Sequence, residues 1–421
     1  MHNFTVQKYF RLLIFILMIT TYFPLLTNNL PPYIGSYHLY ALIWFLSIII
    51  LYNSILLNKN LRYVLLFFLS YYLFSITIWT NISEWNNKFV INEFYIMIIA
   101  ISILEYLKTT KDEFWIAFIT KWTLIFIAIT SIMSIYASYI DPTYARMMIG
   151  GRLDEVEFER FSRLGAGAFG FAGMLPFLFP MMFYFYRNSH KSIFSKKQII
   201  LFGIITFFAL IRIQIFANIL LSVILIFISF LGSKNVKLSI SLTLVILIIF
   251  FFIPNSYYAS LLIKISSYFS TDSNLYFKLN DLASALIGQV QDNVGIGGRL
   301  ERYPLLYAAF INSPILGHAF SNSSTDIDAG GHLYWMNKLA VFGVFGFLLF
   351  IKIHINHIKE IIVQYDEEFL FYFSVSVIGG LGLGLMKNLA EREYWFTYFI
   401  LLHGIYYLPI IMKTKPINDH Q

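Results

Sequence analysis

The sequence predicts an all-α polytopic membrane protein of about twelve transmembrane helices, with a long extracytoplasmic loop between the ninth and the tenth. Three observations predict it. Hydrophobic residues make up 58% of the 421 and charged residues only 13%, with a mean hydropathy of +0.69, which is more apolar surface than a soluble core can hide. The apolar residues gather in runs of about 17 to 25, the length that crosses a bilayer as a helix. The connections between the runs alternate in their content of Lys and Arg.

The runs lie at 10–26, 38–57, 61–80, 89–107, 114–138, 168–186, 198–213, 215–231, 237–254, 332–351, 369–386 and 394–412. The first follows Lys8 and Arg11 as a signal peptide would, but no small-residue cleavage site comes after it and the chain soon re-enters the membrane, so it reads as a span. Lys8 and Arg11, Lys59 and Arg62, Lys108 and Lys111, Arg187 with Lys191, Lys196 and Lys197, Lys234 and Lys237, Lys352 and Lys359, and Lys413 with Lys415 share one side. The positive-inside rule makes that side the cytoplasm and puts both termini there. No cysteine is present, which excludes disulfides and thiolate metal sites. No nucleotide-binding glycine loop, low-complexity segment or internal repeat stands out, and nothing points to a nucleic-acid partner. The whole chain reads as one integral membrane domain.

Two outer segments, 139–167 and 255–331, are too long to be turns, and loops of that length carry function or helices of their own. In the first, GGRLDEVEFERFSRLG alternates acids and bases, the pattern of a charge-laced surface helix or an internal salt-bridge network, with a ligand role for Arg152 or Arg160 secondary. In the second, YASLLIKISSYF, YFKLNDLASALIGQV and RLERYPLLYAAFIN have helical apolar spacing and are expected to lie on the membrane as amphipathic pieces.

The outer and embedded positions carry arginine where the cytoplasmic loops mostly carry lysine. Arginine's planar fork binds phosphate oxygens two at a time and stays charged, so an anionic outer ligand would explain the choice. Arg212 is the only charge in IILFGIITFFALIRIQIFANILLSVILIFISF. A central arginine costs roughly 2.5 to 3.5 kcal/mol on insertion scales; at the outer turn of two short helices the cost falls, and there it would face a ligand or lipid headgroups. Arg299 and Arg302 stand three apart on one helical face, fit to grip a diphosphate or to form an ordinary solvated face with Glu301. Asp326, Asp328 and His332 admit a divalent-metal reading, but Ser-, Asn- and Gly-rich acidic loops are also ordinary turns, and no metal is expected.

In AGGHLYWMNKLAVFGVFGFLLF, residues 329–350, His332, Gly343 and Gly346 share one face if the stretch is a single helix, with Lys338 its only charge. Glycines on that face allow a neighbouring helix close approach. The histidine then stands at the helix mouth and points into protein.

An embedded arginine after the seventh span, an outer loop carrying GGRLERYPLL and SPILG, and His332 entering a helix with Gly343 and Gly346 together resemble the bacterial O-antigen polymerase and O-antigen ligase superfamily. The likeness covers most of the chain in architecture, and residues 205–222 and 297–347 in detail. It implies a GT-C-like fold and glycosyl transfer at the outer face of the plasma membrane, with undecaprenyl-diphosphate-linked glycan and membrane lipid as partners. The family histidine maps to His332, its embedded arginine to Arg212, and its loop arginine, in an Arg-x3-Leu pattern, to Arg302 followed by Leu306. The chain departs from the family at Leu333, where Asn, Ser or Gln is usual.

On this reading His332, kept neutral by a helix N-terminus, is the general base, and Arg212, Arg299 and Arg302 stabilise the departing diphosphate without metal or other cofactor. A polymerase joining repeat units is favoured. A ligase transferring polymer to lipid A core, a capsule or exopolysaccharide polymerase, and a lipid-linked oligosaccharide flippase are the rivals. A chain-length regulator is left open as a protein partner.

Overall fold

The computed structural model describes residues 2–77, 84–142, 144–145, 148, 155–188, 193–232, 254–271, 273–287, 297–317 and 333–413. Among them every regular element is helical, which suits a chain whose backbone groups find no water in lipid. The first half comprises α1 (His2–Tyr22), α2 (Tyr37–Leu51), α3 (Lys59–Thr77), α4 (Glu84–Thr110), α5 (Glu113–Ile140), the short α6 (Glu155–Arg163), α7 (Phe169–Arg187), α8 (Lys196–Ile213) and α9 (Phe216–Leu231). The second half comprises α10 (Asn255–Ser266), α11 (Asn274–Leu286), α12 (Gly297–Asn312), α13 (Tyr334–Gln364), α14 (Glu367–Gly382) and α15 (Arg392–Phe396), the last continuing through a π-helical turn, Thr397–Leu401. Among the described residues five helices are long and apolar enough to cross a membrane: Val90–Thr110, Glu113–Ile140, Phe169–Arg187, Tyr334–Gln364 and Glu367–Leu385. The protein is a helical membrane protein. The run at 237–254 falls, but for its last residue, outside the described residues.

Helix starts follow local chemistry. Asp112 opens α5, accepting the Trp115 amide at 3.3 Å while it binds Arg11 of α1 at 2.6 Å. Ser195 and Gln198 form a reciprocal capping box on α8. That helix ends where Gln214 turns left-handed, and α9 begins two residues later. The two short helices expected around Arg212 are therefore present. In segment 139–167 α6 is a charge-laced helix, with an exposed Arg163–Glu159 pair at 2.5 Å.

The helices α3, α4 and α13 meet around Phe67, whose ring lies 4.6 Å from Phe94 and 4.8 Å from Phe342. This aromatic contact fixes three elements that also carry the site.

One correction decides the architecture. A straight α13 would hold Tyr334 and Phe350 about 24 Å apart. Their ring centroids are 6.1 Å apart, and that of Trp335 lies 5.7 Å from that of His354. The helix therefore folds back on itself. The turn is made by Gly343, at φ 61° and ψ −173°, a region open in practice to glycine alone. Two amides freed by the break find partners in the SPILG turn: Val344 N–H donates to the Pro314 carbonyl at 2.8 Å and Phe345 N–H to that of Ile315 at 3.1 Å. Gly317 lies against the same break, where a Cβ would stand 2.0 Å from the Val341 carbonyl oxygen. The single helical face expected to carry His332, Gly343 and Gly346 is thus not formed. Gly343 is a position of close approach, but to a turn. At Gly346, in the second arm, a Cβ would come 3.0 Å from the Phe67 ring of α3.

Helix α12 packs against the first arm of α13 while Leu305, Tyr307 and Ile311 stay exposed. The Tyr303 hydroxyl donates to the Leu385 carbonyl at 3.0 Å, and Tyr334 N–H donates to that of Lys387 at 3.2 Å. Helix α12 and arm 334–342 thus start at one place and end together at the Gly343 turn, running in parallel. Between these ends Leu306 and Ala309 bury against Leu333 and Ala340. The apolar spacing is that of a packing face. The other two amphipathic helices, α10 and α11, pack against each other.

Candidate functional site

The fold-back carries the start of α13 beside Phe350 and His354, inside the bundle, instead of leaving it at the far end of a span. Leu333 and Tyr334 are buried there. Leu333 sits in the left-handed region, φ 64° and ψ 53°, which costs an L-residue roughly 1 to 2 kcal/mol. The strain is held by neighbours on both sides. Asn337 N–H bonds the Leu333 carbonyl at 2.8 Å, and Trp335 Nε1 donates to the Leu381 carbonyl at 2.8 Å.

Charge gathers around this start. Arg302, one turn before Leu306, has Nε and Nη2 shielded from solvent with no hydrogen-bond partner among the described residues. A guanidinium with idle shielded donors is arranged for an anion. Lys387, whose carbonyl holds Tyr334, lies with Nζ 5.7 Å from the Phe169 ring centroid at the start of α7. The next residue of α7, Gly170, is where the Glu391–Arg392–Glu393 run abuts: a Cβ on it would stand 2.7 Å from Glu393 Oε2 and 3.0 Å from Glu391 Cβ. Arg392 covers the Tyr37 ring of α2 at 5.3 Å.

Glu391 is exposed, yet protein surrounds it closely enough that desolvation pushes its carboxyl up to about 7, with Glu393 adding to the rise and Arg392 opposing it.

Glu93 of α4 accepts hydrogen bonds from the Tyr334 hydroxyl and from Lys338 Nζ. All three side chains are about 1% exposed. An ionised pair this deep survives only because each member satisfies the other.

The residues expected from the sequence are distributed as follows. His332 and Arg152 lie outside the described residues, as do Asp326 and Asp328. Arg299 is in the first turn of α12, with its side chain outside the described ones. Arg302 is next to the α13 start. Arg212 is on a different pair of elements: its Nε donates to Ser138 Oγ at 2.8 Å, its Nη2 to the Ser138 carbonyl at 2.9 Å, and its guanidinium covers the Tyr139 ring at 4.6 Å. It closes the last turn of α5, where a cation suits the helix dipole. No group of three or more potential metal ligands gathers among the described residues.

Glu93, Lys387, Glu391 and Glu393 were not singled out by the sequence reading. Glu93 had a readable signal, a carboxylate inside one apolar run with Lys338 its counterpart inside another. A buried charge in a span looks for a partner, and these two form one.

Fold and site define a helical membrane protein with a broken helix whose start is lined by arginine, lysine and carboxylates. Comparison with protein-family models, curated proteins and solved structures finds no match.

Proposed function

We propose that this chain is a surface-polysaccharide polymerase of the O-antigen type, joining undecaprenyl-diphosphate-linked repeat units by glycosyl transfer at the outer face of the bacterial plasma membrane. The observation that carries the reading is that Arg302, one turn before the Leu306 that clusters with Leu333, has Nε and Nη2 shielded with no hydrogen-bond partner among the described residues, and that Leu333 follows His332 in the chain. In this mechanism Arg302 holds the diphosphate and, with Arg299, stabilises the charge that grows on it as the glycosidic carbon–oxygen bond breaks. His332 takes the proton from the attacking sugar hydroxyl, and the new glycosidic bond forms as the lipid diphosphate leaves. The positive end of arm 334–342 keeps the imidazole neutral and ready to accept. Arg212, with two donors already on Ser138, contributes charge from the neighbouring elements or a structural cap. The proposal includes twelve spans, cytoplasmic termini and a periplasmic site.

The test is incubation of purified protein with a lipid-linked repeat unit. A ladder of carrier-linked products that His332→Ala and Arg302→Ala abolish, with both variants inserted normally, supports the reading; an undiminished ladder from both variants overturns it.

A second reading rests on the break at Gly343. Discontinuous helices with unwound backbone mark the substrate sites of transporters, so a lipid-linked oligosaccharide flippase also fits α13. Movement of the lipid-linked unit across vesicles, with no glycosidic bond formed, decides for the flippase.

A further inference from the structure

We propose that the groove between α5, α7 and α8 binds an anionic glycerophospholipid, with an acyl chain in the groove and the phosphate on Lys121, Lys196 and Lys197. The site shares no residue with α12 or α13 and stands whether or not the chain is a polymerase.

The groove encloses about 240 Å³, and Gln198 is the one polar side chain among its described lining residues. It opens sideways, since Ile132 and Leu201 on its walls are 49% and 57% exposed. Helices α5 and α7 are both long and apolar enough to cross a membrane, so hydrocarbon is what reaches this opening in a bilayer.

Its place along the span follows from one contact. Arg212 of α8 binds Ser138 of α5. The same number of residues back from each stand Gln198 and Leu124, and both line the groove. The two helices therefore run in parallel and in level. One turn further back that level holds Ser195, which caps α8, and Lys121. Lys121, Ile125, Ala128 and Ile132 recur at helical spacing on one face of α5, and the last three line the groove. The lysine thus stands at the groove's mouth, level with the α8 start, where Lys196 and Lys197 are exposed.

None of the three lysines makes an ion pair or a side-chain hydrogen bond among the described residues; Lys196 covers the Tyr186 ring, its Nζ 5.5 Å from the centroid. Arg187, by contrast, already donates to the Phe230 carbonyl at 2.8 Å. A lysine within a span takes a partner or reaches for headgroups along its stem. Phosphate on a hydrocarbon tail meets both the cations and the apolar walls. From Gln198 to Ile205 the wall rises about 10 Å, and from Leu124 to Ile132 about 12 Å, which fits within the roughly 15 Å of one leaflet's hydrocarbon. That depth selects an acyl chain of one leaflet. A polyprenyl phosphate offers the same phosphate on a longer tail and is separated by the test.

The test is native mass spectrometry of the full-length protein in detergent, titrated in separate arms with phosphatidylglycerol, with phosphatidylcholine of the same acyl chains and with undecaprenyl phosphate. The parent should hold phosphatidylglycerol about tenfold more tightly than phosphatidylcholine, and Lys121→Gln should weaken phosphatidylglycerol about fivefold, the share of one cation at a headgroup, with phosphatidylcholine unchanged. Ala128→Phe fills the groove and keeps the lysines, so it should weaken both phospholipids by similar factors. Should Ala128→Phe fail to fold, Lys121→Gln decides alone. Equal affinity of the parent for the two phospholipids, or a preference that Lys121→Gln leaves intact, overturns the proposal. Tighter binding of undecaprenyl phosphate than of phosphatidylglycerol, weakened by the same substitution, also overturns it, because the occupant is then a polyprenyl carrier.

Discussion

The same two helices, α4 and α13, are joined by an ion pair near each end, and the two pairs differ in burial. Toward one end Glu93 and Lys338 are each 1% exposed. Toward the other, Lys108 binds Glu360 at 2.7 Å with side chains 20% and 38% exposed, amid Glu105, Asn58 and Asn60. The charges are also transposed, acid from α4 at the first pair and from α13 at the second. Water can solvate either half of the second pair if the other is removed. The first pair has no such recourse, which makes it a specification of where the arm goes, whereas the second adds to an existing contact.

Removing one member of each pair breaks the comparison most sharply. Glu93→Ala or Lys338→Met should destabilise the fold by about 3 to 5 kcal/mol, whereas Lys108→Met or Glu360→Gln should cost about 1 kcal/mol or less. Thermal unfolding in one detergent reads both, and equal losses would remove the distinction drawn between the two ends.

The two glycines of α13 give the next contrast. Gly343→Ala meets a positive φ and a Cβ 2.4 Å from the Ile315 carbonyl oxygen, an atom that cannot swing away. The strained conformation alone accounts for about 1 to 3 kcal/mol. Gly346→Ala meets a Phe67 ring atom at 3.0 Å and Phe342 Cβ at 2.6 Å across the break, and keeps helical φ and ψ. It should cost less than Gly343→Ala, and a reversed order of melting temperatures would show that the break is not where the fold-back is enforced.

The two described arginines separate by what they already touch. Arg302→Lys should raise KM for the lipid-linked unit roughly tenfold, about 1.4 kcal/mol, because one ammonium replaces a two-pronged donor. Arg212→Lys should change stability more than KM, since its fork serves Ser138. Steady-state kinetics on both variants checks the order.

The smallest effect is a pH dependence. With its carboxyl raised to about 7, well above the usual carboxylate range, Glu391 favours the folded state most when protonated. That contribution is present below about pH 4.5 and is lost as pH rises through about 7. Glu391→Gln should therefore flatten the decline of melting temperature between pH 5 and pH 8, and an unchanged slope would show that the surrounding protein does not desolvate this carboxyl.

Membrane character and helical class were legible because bilayer thickness and positive-charge bias act on composition, which any run of residues displays. The pairing at α8 and α9 was legible for the same reason, with Arg212 marking the joint. The fold of α13 was hidden because both of its arms are apolar with helical period, and period does not report direction. Its physical signs were a glycine able to reach φ 61° and a distant SPILG whose carbonyls take the freed amides, and neither is local to the other. Arg302 was legible as an outer arginine, but its idle donors emerge only once Leu306 packs on Leu333. Lys338 is visible as the lone charge of its run and Glu93 as one of two carboxylates in 89–107, but they stand 245 positions apart and their partnership required the fold.

The fold-back of α13 is the claim on which the site depends, and the chain's lack of cysteine makes it directly measurable. Spin labels on Met336→Cys and Ile355→Cys in the full-length protein should report a separation well below the value of about 28 Å that a straight helix imposes. A distribution centred near 28 Å would contradict the folded arm, and with it the placement of Leu333 beside Arg302 and Lys387.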